Sequence, residues 1–231
     1  EPTAPATTEP SAEPTAPATA EPSAEPTATP APTATAPATA EPTATPVPTA
    51  TANEVTVNID GSSTNYDTLD AAVTALNALE VPAETRTINV TINSDVTLSS
   101  ALELAESSNN NVVIDTNGNN TITVNAGGKI TVKRGTFNIG SSGNASTLTV
   151  NVNADGENSM LTVMPYSNAT INKNVIINAA DRTELIKLGW KDGTTLNIDG
   201  ATINSGENTV VSANNANGTI NVSGDANITG A

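Results

Sequence analysis

Between Asp181 and Asp192 the sequence gathers Asp181, Arg182, Glu184, Lys187, Trp190, Lys191 and Asp192, including the only Trp in the chain. An indole offers a flat apolar platform for a sugar ring. Arg and Lys donate charge-assisted hydrogen bonds to hydroxyl or uronate oxygens. The stretch therefore reads as a candidate ligand site, with Trp190 stacking and Arg182, Lys187 and Lys191 donating. Tyr166, beside Pro165, is a second candidate aromatic contact. The same residues also have a plain structural reading. Ile186, Leu188 and Trp190 alternate with Lys187, Gly189 and Lys191, the pattern of a strand whose Trp faces a core and whose lysines face water.

Other chemistries are narrowed by what is missing. The 231 residues contain no His and no Cys, so Ser-His-Asp and Cys-His nucleophiles, disulfides and the usual zinc, haem and iron–sulfur ligand sets are excluded. With 24 acidic and 8 basic side chains, the formal charge of -16 repels nucleic-acid phosphates. No apolar run is long enough to span a bilayer as a helix. Two segments, Asp115-x-Asn117-x-Asn119 and Asn151-x-Asn153-x-Asp155-Gly156, echo the first half of a Ca²⁺ loop. Both lack its bidentate Glu, the position being Ala126 in one and Thr162 in the other, and they read as ordinary turns. No cofactor is expected, and Ca²⁺ has only this weak support.

The elements that must position these residues fall into two parts. Residues 1–52 carry 13 of the 15 Pro, repeat an imperfect Glu-Pro-Thr-Ala unit, and lack Gly, aromatic and basic residues. Such a segment cannot offset its ordering entropy by burial, so it is expected to be a disordered, extended linker. Its composition resembles the Thr/Pro/Glu linkers of secreted bacterial surface proteins, which implies an extracellular or cell-surface location. The chain begins without Met, consistent with a removed export signal or a cut parent sequence.

Residues 53–231 hold all 15 Gly and 30 Asn, yet few aromatic side chains to fill a core. In Asp67–Glu80, Leu69, Val73, Leu76 and Leu79 form one apolar stripe, predicting a capping helix over about 67–80. Asp67 or Thr68 would cap its start and Pro82 mark its stop. A tripeptide of Thr, an aliphatic or Phe, then Asn recurs ten times, starting at Thr56, Thr87, Thr91, Thr123, Thr136, Thr149, Thr170, Thr195, Thr202 and Thr219. In a strand its central residue points inward. Asn and Gly clusters between these strands suit tight corners. Narrow aliphatic strands with Asn-rich corners favour a parallel β-solenoid over a sandwich. Coil starts aligned by eye fall at Ile88, Val112, Ile130, Leu148, Leu161 or Ile171, Leu196 and Ile220, giving six or seven coils. Nothing after Ala231 caps the last coil, so a fragment, or an end covered by a partner, is expected.

The capping helix, followed by Thr87–Leu98 and Val112–Val124, resembles the opening of a right-handed parallel β-helix of the pectin-lyase-like superfamily. That resemblance implies an all-β fold and allows lyases, hydrolases and non-catalytic adhesins alike. Lyases of this kind use Arg or Lys as base, usually with Ca²⁺; here the arginines are Arg86, Arg134 and Arg182. The hydrolases use clustered Asp beside a His-containing motif, which this sequence lacks. The expectation is a non-catalytic module for adhesion or for binding an extracellular polysaccharide or host or cell-surface partner. A polysaccharide lyase fragment and a purely structural stalk are the alternatives. Oligomeric state is not fixed by the sequence.

Overall fold

The computed structural model describes residues 53–153, 159–179, 184–189, 191–206, 209–213 and 217–230. The linker expected over 1–52 lies outside the described residues. The described chain opens with an antiparallel hairpin of β1 (Val55–Ile59) and β2 (Ser62–Tyr66). Asp60 and Gly61 close it at φ 49° and 91°. A two-residue turn with both φ positive matches the right-handed twist of the strands it joins.

Helix α1 (Leu69–Asn77) follows. It is shorter than the apolar stripe suggested. The Thr68 hydroxyl accepts the Ala71 N–H at 3.1 Å, which fixes the start and leaves Asp67 outside. The Leu79 N–H turns back to the Leu76 carbonyl, so the helix stops before Pro82 imposes anything. Leu69, Ala72, Val73 and Leu76 are buried against the first strands, so the helix acts as a lid on the solenoid's end. Burying each large side chain contributes about 1.5–3 kcal/mol. Polar bonds fix the lid's position. The Asp70 carboxylate accepts the Ser99 and Ser100 N–H groups at 3.0 Å each and the Ser100 hydroxyl at 2.6 Å. The Asn77 amide bridges the Ala101 carbonyl and the Glu103 N–H.

Beyond the lid the chain winds as an all-β right-handed parallel β-helix. Its first coil holds β3 (Arg86–Ile92), β4 (Val96–Leu98) and β5 (Ala101–Leu102), and its second β6 (Asn110–Thr116), β7 (Asn120–Val124) and β8 (Lys129–Val132). The third holds β9 (Gly135–Ile139), β10 (Leu148–Val152) and β11 (Leu161–Val163). The fourth holds β12 (Ser167–Asn172), β13 (Val175–Ala179) and β14 (Glu184–Leu188). The fifth holds β15 (Thr195–Asp199), β16 (Thr202–Asn204) and β17 (Thr209–Ala213), and β18 (Thr219–Ser223) and β19 (Asn227–Thr229) begin a sixth. Each coil contributes one strand to each of three sheets, with parallel pairing from coil to coil.

The register corrects the alignment by eye. Ile88, Val112, Phe137, Ala169, Leu196 and Ile220 stand in one file, so successive coils take 24, 25, 32, 27 and 24 residues. Ile130 and Leu161 belong instead to the third sheet and Leu148 to the second, while Ile171 lies two residues along β12 from the file position Ala169. An aliphatic flanked by Thr and Asn marks a strand in any of the three sheets, and so cannot mark a coil start. The inward reading of those tripeptides holds. Nine of the ten central residues are buried, and the tenth, Ile220, lies on β18, where Val222 is also exposed. Outside the core, amides stack. The Asn204 Nδ2 donates to Asn178 Oδ1, and the Asn178 Nδ2 donates to Asn151 Oδ1, each at 2.9 Å.

Candidate groove at the corner between the third and first sheets

One corner of the solenoid turns each coil from the third sheet into the first sheet of the next. In the first coil this corner carries Glu103 and Glu106, after β5. In the second it is only Lys133-Arg134, between β8 and β9. In the third it is Met164-Pro165-Tyr166, between β11 and β12, and in the fourth it includes Lys191, between β14 and β15. Residues far apart in sequence thus become neighbours on one edge, about 4.8 Å apart per coil.

Tyr166 is the most unusual of them. Its φ is +60°, and the residue is 59% exposed. The backbone on either side explains the conformation. The Met164 N–H and the Ser167 hydroxyl both reach the Val132 carbonyl, at 2.9 and 3.2 Å, and pin the corner on both sides of Tyr166. The chain must reverse in the residues between, and Tyr166 takes the left-handed conformation, which costs a residue with a Cβ about 1–2 kcal/mol. The ring then lies against Gly193, where a Cβ would come within 2.9 Å of Tyr166 Cδ1. The Arg134 guanidinium sits 5.6 Å from the ring centroid, a cation–π distance.

Around this pair lies an open groove of about 470 Å³, lined by Glu106, Lys133, Arg134, Pro165, Tyr166 and Lys191 among others. Its charges are partly compensated. Glu103 bridges Lys129 at 3.0 Å and Lys133 at 3.3 Å. The hydrogen bond from Lys129 holds the Glu103 carboxyl below its ordinary value; partial burial pushes the other way, and Lys133 adds to the lowering. Arg134 has Glu106 at 3.8 Å, too long for a good hydrogen bond. Lys191 has no ion-pair partner among the described residues.

Of the candidates named from sequence, Tyr166 and Lys191 therefore share this groove. Lys187 lies on β14, paired with Glu184 at 3.7 Å, and does not line it. Trp190 and Arg182 lie outside the described residues. Arg134 and Lys133 were not expected as partners of Tyr166. The available signal was that Lys133-Arg134 and Pro165-Tyr166 each follow a strand, but pairing them requires the coil register.

The Ca²⁺-like loops resolve differently. Asp115 Oδ1 accepts from the Thr116 N–H at 2.8 Å, Asn144 Nδ2 at 2.9 Å and Asn174 Nδ2 at 3.0 Å. Asn119 Oδ1 accepts the Thr147 N–H. These side chains fasten a corner of the solenoid. Asp155 and Gly156 of the second loop lie outside the described residues. Among the described residues, no group of three or more carboxylates is arranged to hold a metal. No described helix is long and apolar enough to cross a membrane.

Fold and groove together define a right-handed parallel β-helix with an aromatic and basic groove on one corner. No protein-family model, no curated protein and no solved structure matches the chain.

Proposed function

We propose that the chain is a non-catalytic β-helix module of a bacterial extracellular or cell-surface protein, a reading its linker composition supports. It serves adhesion by binding a polysaccharide in the Tyr166 groove. The observation that carries this reading is Tyr166 itself. A strained backbone supports a largely exposed ring with Arg134 beside it. Aromatic faces bordered by fixed polar donors are the usual means of holding a sugar ring. The cations Lys133, Arg134 and Lys191 add donors in a chain whose net charge is -16.

The test is a glycan array probed with the full chain, followed by calorimetry on any hit. Tyr166→Ala should weaken binding about 2- to 10-fold, the range for an aromatic contact. An array with no hits, or a hit indifferent to Tyr166→Ala, would remove polysaccharide binding through this groove.

A further inference from the structure

The acidic residues at the groove come from one short stretch. Glu103 and Glu106, on the first coil's corner, face Lys129, Lys133 and Arg134 of the second coil. All three second-coil cations on this side thus already have a carboxylate partner from within the chain. The two glutamates hold their partners differently. Glu103 is shared between two lysines at 3.0 and 3.3 Å, and its side chain is 34% exposed. Glu106 reaches only Arg134, at 3.8 Å, and is 64% exposed. The other end of the groove has the opposite balance, since Lys191 has no ion-pair partner among the described residues. Tyr166 lies between the two ends.

We propose that the groove, where Lys133, Arg134 and Lys191 outnumber Glu106 despite the chain's charge of -16, takes a linear polysaccharide bearing carboxylates or sulfates, and that Glu106 is an intramolecular competitor for it at Arg134. This rests on the reading of the groove as a glycan site. An anionic residue of the ligand meets Lys191, a sugar ring covers Tyr166, and a second anion displaces the loosely held Glu106 from the guanidinium. Arg134 and Lys191 are two coils apart, roughly 10 Å along the axis, so one extended chain lying along the solenoid reaches both. Glu103 stays in place because two lysines share it. A planar guanidinium favours the oxygen pairs of carboxylate or sulfate over single hydroxyls.

The experiment measures dissociation constants of the full chain and of Glu106→Gln for three probes. These are polygalacturonate oligomers, heparin oligosaccharides and a neutral glucan. The first two distinguish carboxylate from sulfate as the source of the anion. Removing one exposed competing charge should tighten binding of the acidic probes about 2- to 5-fold, an effect that shrinks as salt rises. Neutral glucan binding should not change. Lys191→Ala should weaken the acidic probes alone. Unchanged or weaker acidic binding in Glu106→Gln overturns the competition, as does tighter binding of the neutral probe than of both acidic ones. If the neutral probe binds in a Tyr166-dependent way and the acidic probes do not, the proposed function stands and this inference falls. If no probe binds either protein, this inference falls, and the glycan array alone decides whether the proposed function falls with it.

Discussion

The conformation of Tyr166 gives a test that separates backbone strain from side-chain contact. At φ +60° any residue with a Cβ is strained by about 1–2 kcal/mol. The ring offers little in return. It is 59% exposed, and its cation–π contact with Arg134 is worth about 0.5–1 kcal/mol at such a site. Tyr166→Ala keeps the strain and loses the contact, so it should cost about 0.5–1 kcal/mol. Tyr166→Gly loses the contact but sheds the strain. Its more flexible unfolded chain takes back about 0.4–1 kcal/mol. The net result should be close to wild type and about 1 kcal/mol more stable than the Ala variant. Urea unfolding followed by far-UV circular dichroism measures all three proteins. Both variants should lose glycan affinity, so stability and binding part company only in the Gly protein. A Tyr166→Ala protein as stable as Tyr166→Gly would show that the backbone is not strained there, and the chief reason for assigning Tyr166 a ligand would go with it.

Two further outcomes follow from the polar structure. Asn178→Ala breaks both 2.9 Å bonds of the amide stack at its centre and should cost about 1–3 kcal/mol. Asn221→Ala, on the exposed β18 with one 2.8 Å bond to Asn197, should cost well under half as much, and equal losses in urea titrations would refute the stacking account. Glu103 governs a pH dependence. Its folded carboxyl titrates below the ordinary value of 4.5, so its ion pairs stabilise the protein above that pH, and this contribution is lost as pH falls through the lowered value. Wild type should therefore exceed Glu103→Gln in stability at neutral pH and converge with it in acid. A gap that persists in acid would mean that the Lys129 and Lys133 pairs do not supply it.

The solenoid was largely legible because its signal is local. Thr-aliphatic-Asn tripeptides encode alternation across a strand, and burial of nine of the ten central residues follows from that alternation alone. The lid helix was legible for the same reason, although Thr68 and the early turn at Ala78 trimmed it to Leu69–Asn77. The coil count was less legible. The number of residues between β9 and β10 and between β10 and β11 lengthens the third coil to 32 residues from Phe137 to Ala169, and no local pattern reveals which sheet a strand will join. The Asp115 segment is the ordinary turn its missing Glu suggested, but its partners were not legible. Its spacing resembles a ligand loop, but Asn144 and Asn174, distant in sequence, occupy the carboxylate instead.

Composition and periodicity by themselves determined that this chain forms a thin aliphatic β-solenoid under a helical lid, because strand alternation and a helical stripe are written within a few residues. They also marked Tyr166 and Lys191 as residues able to hold a ligand. Only the tertiary structure decided that these two share a groove with Arg134 and Glu106, while Lys187 does not. The reason is register. A corner residue's neighbours come from the coils above and below it, and the lengths of the intervening corners, which local sequence does not constrain, decide which residues those are.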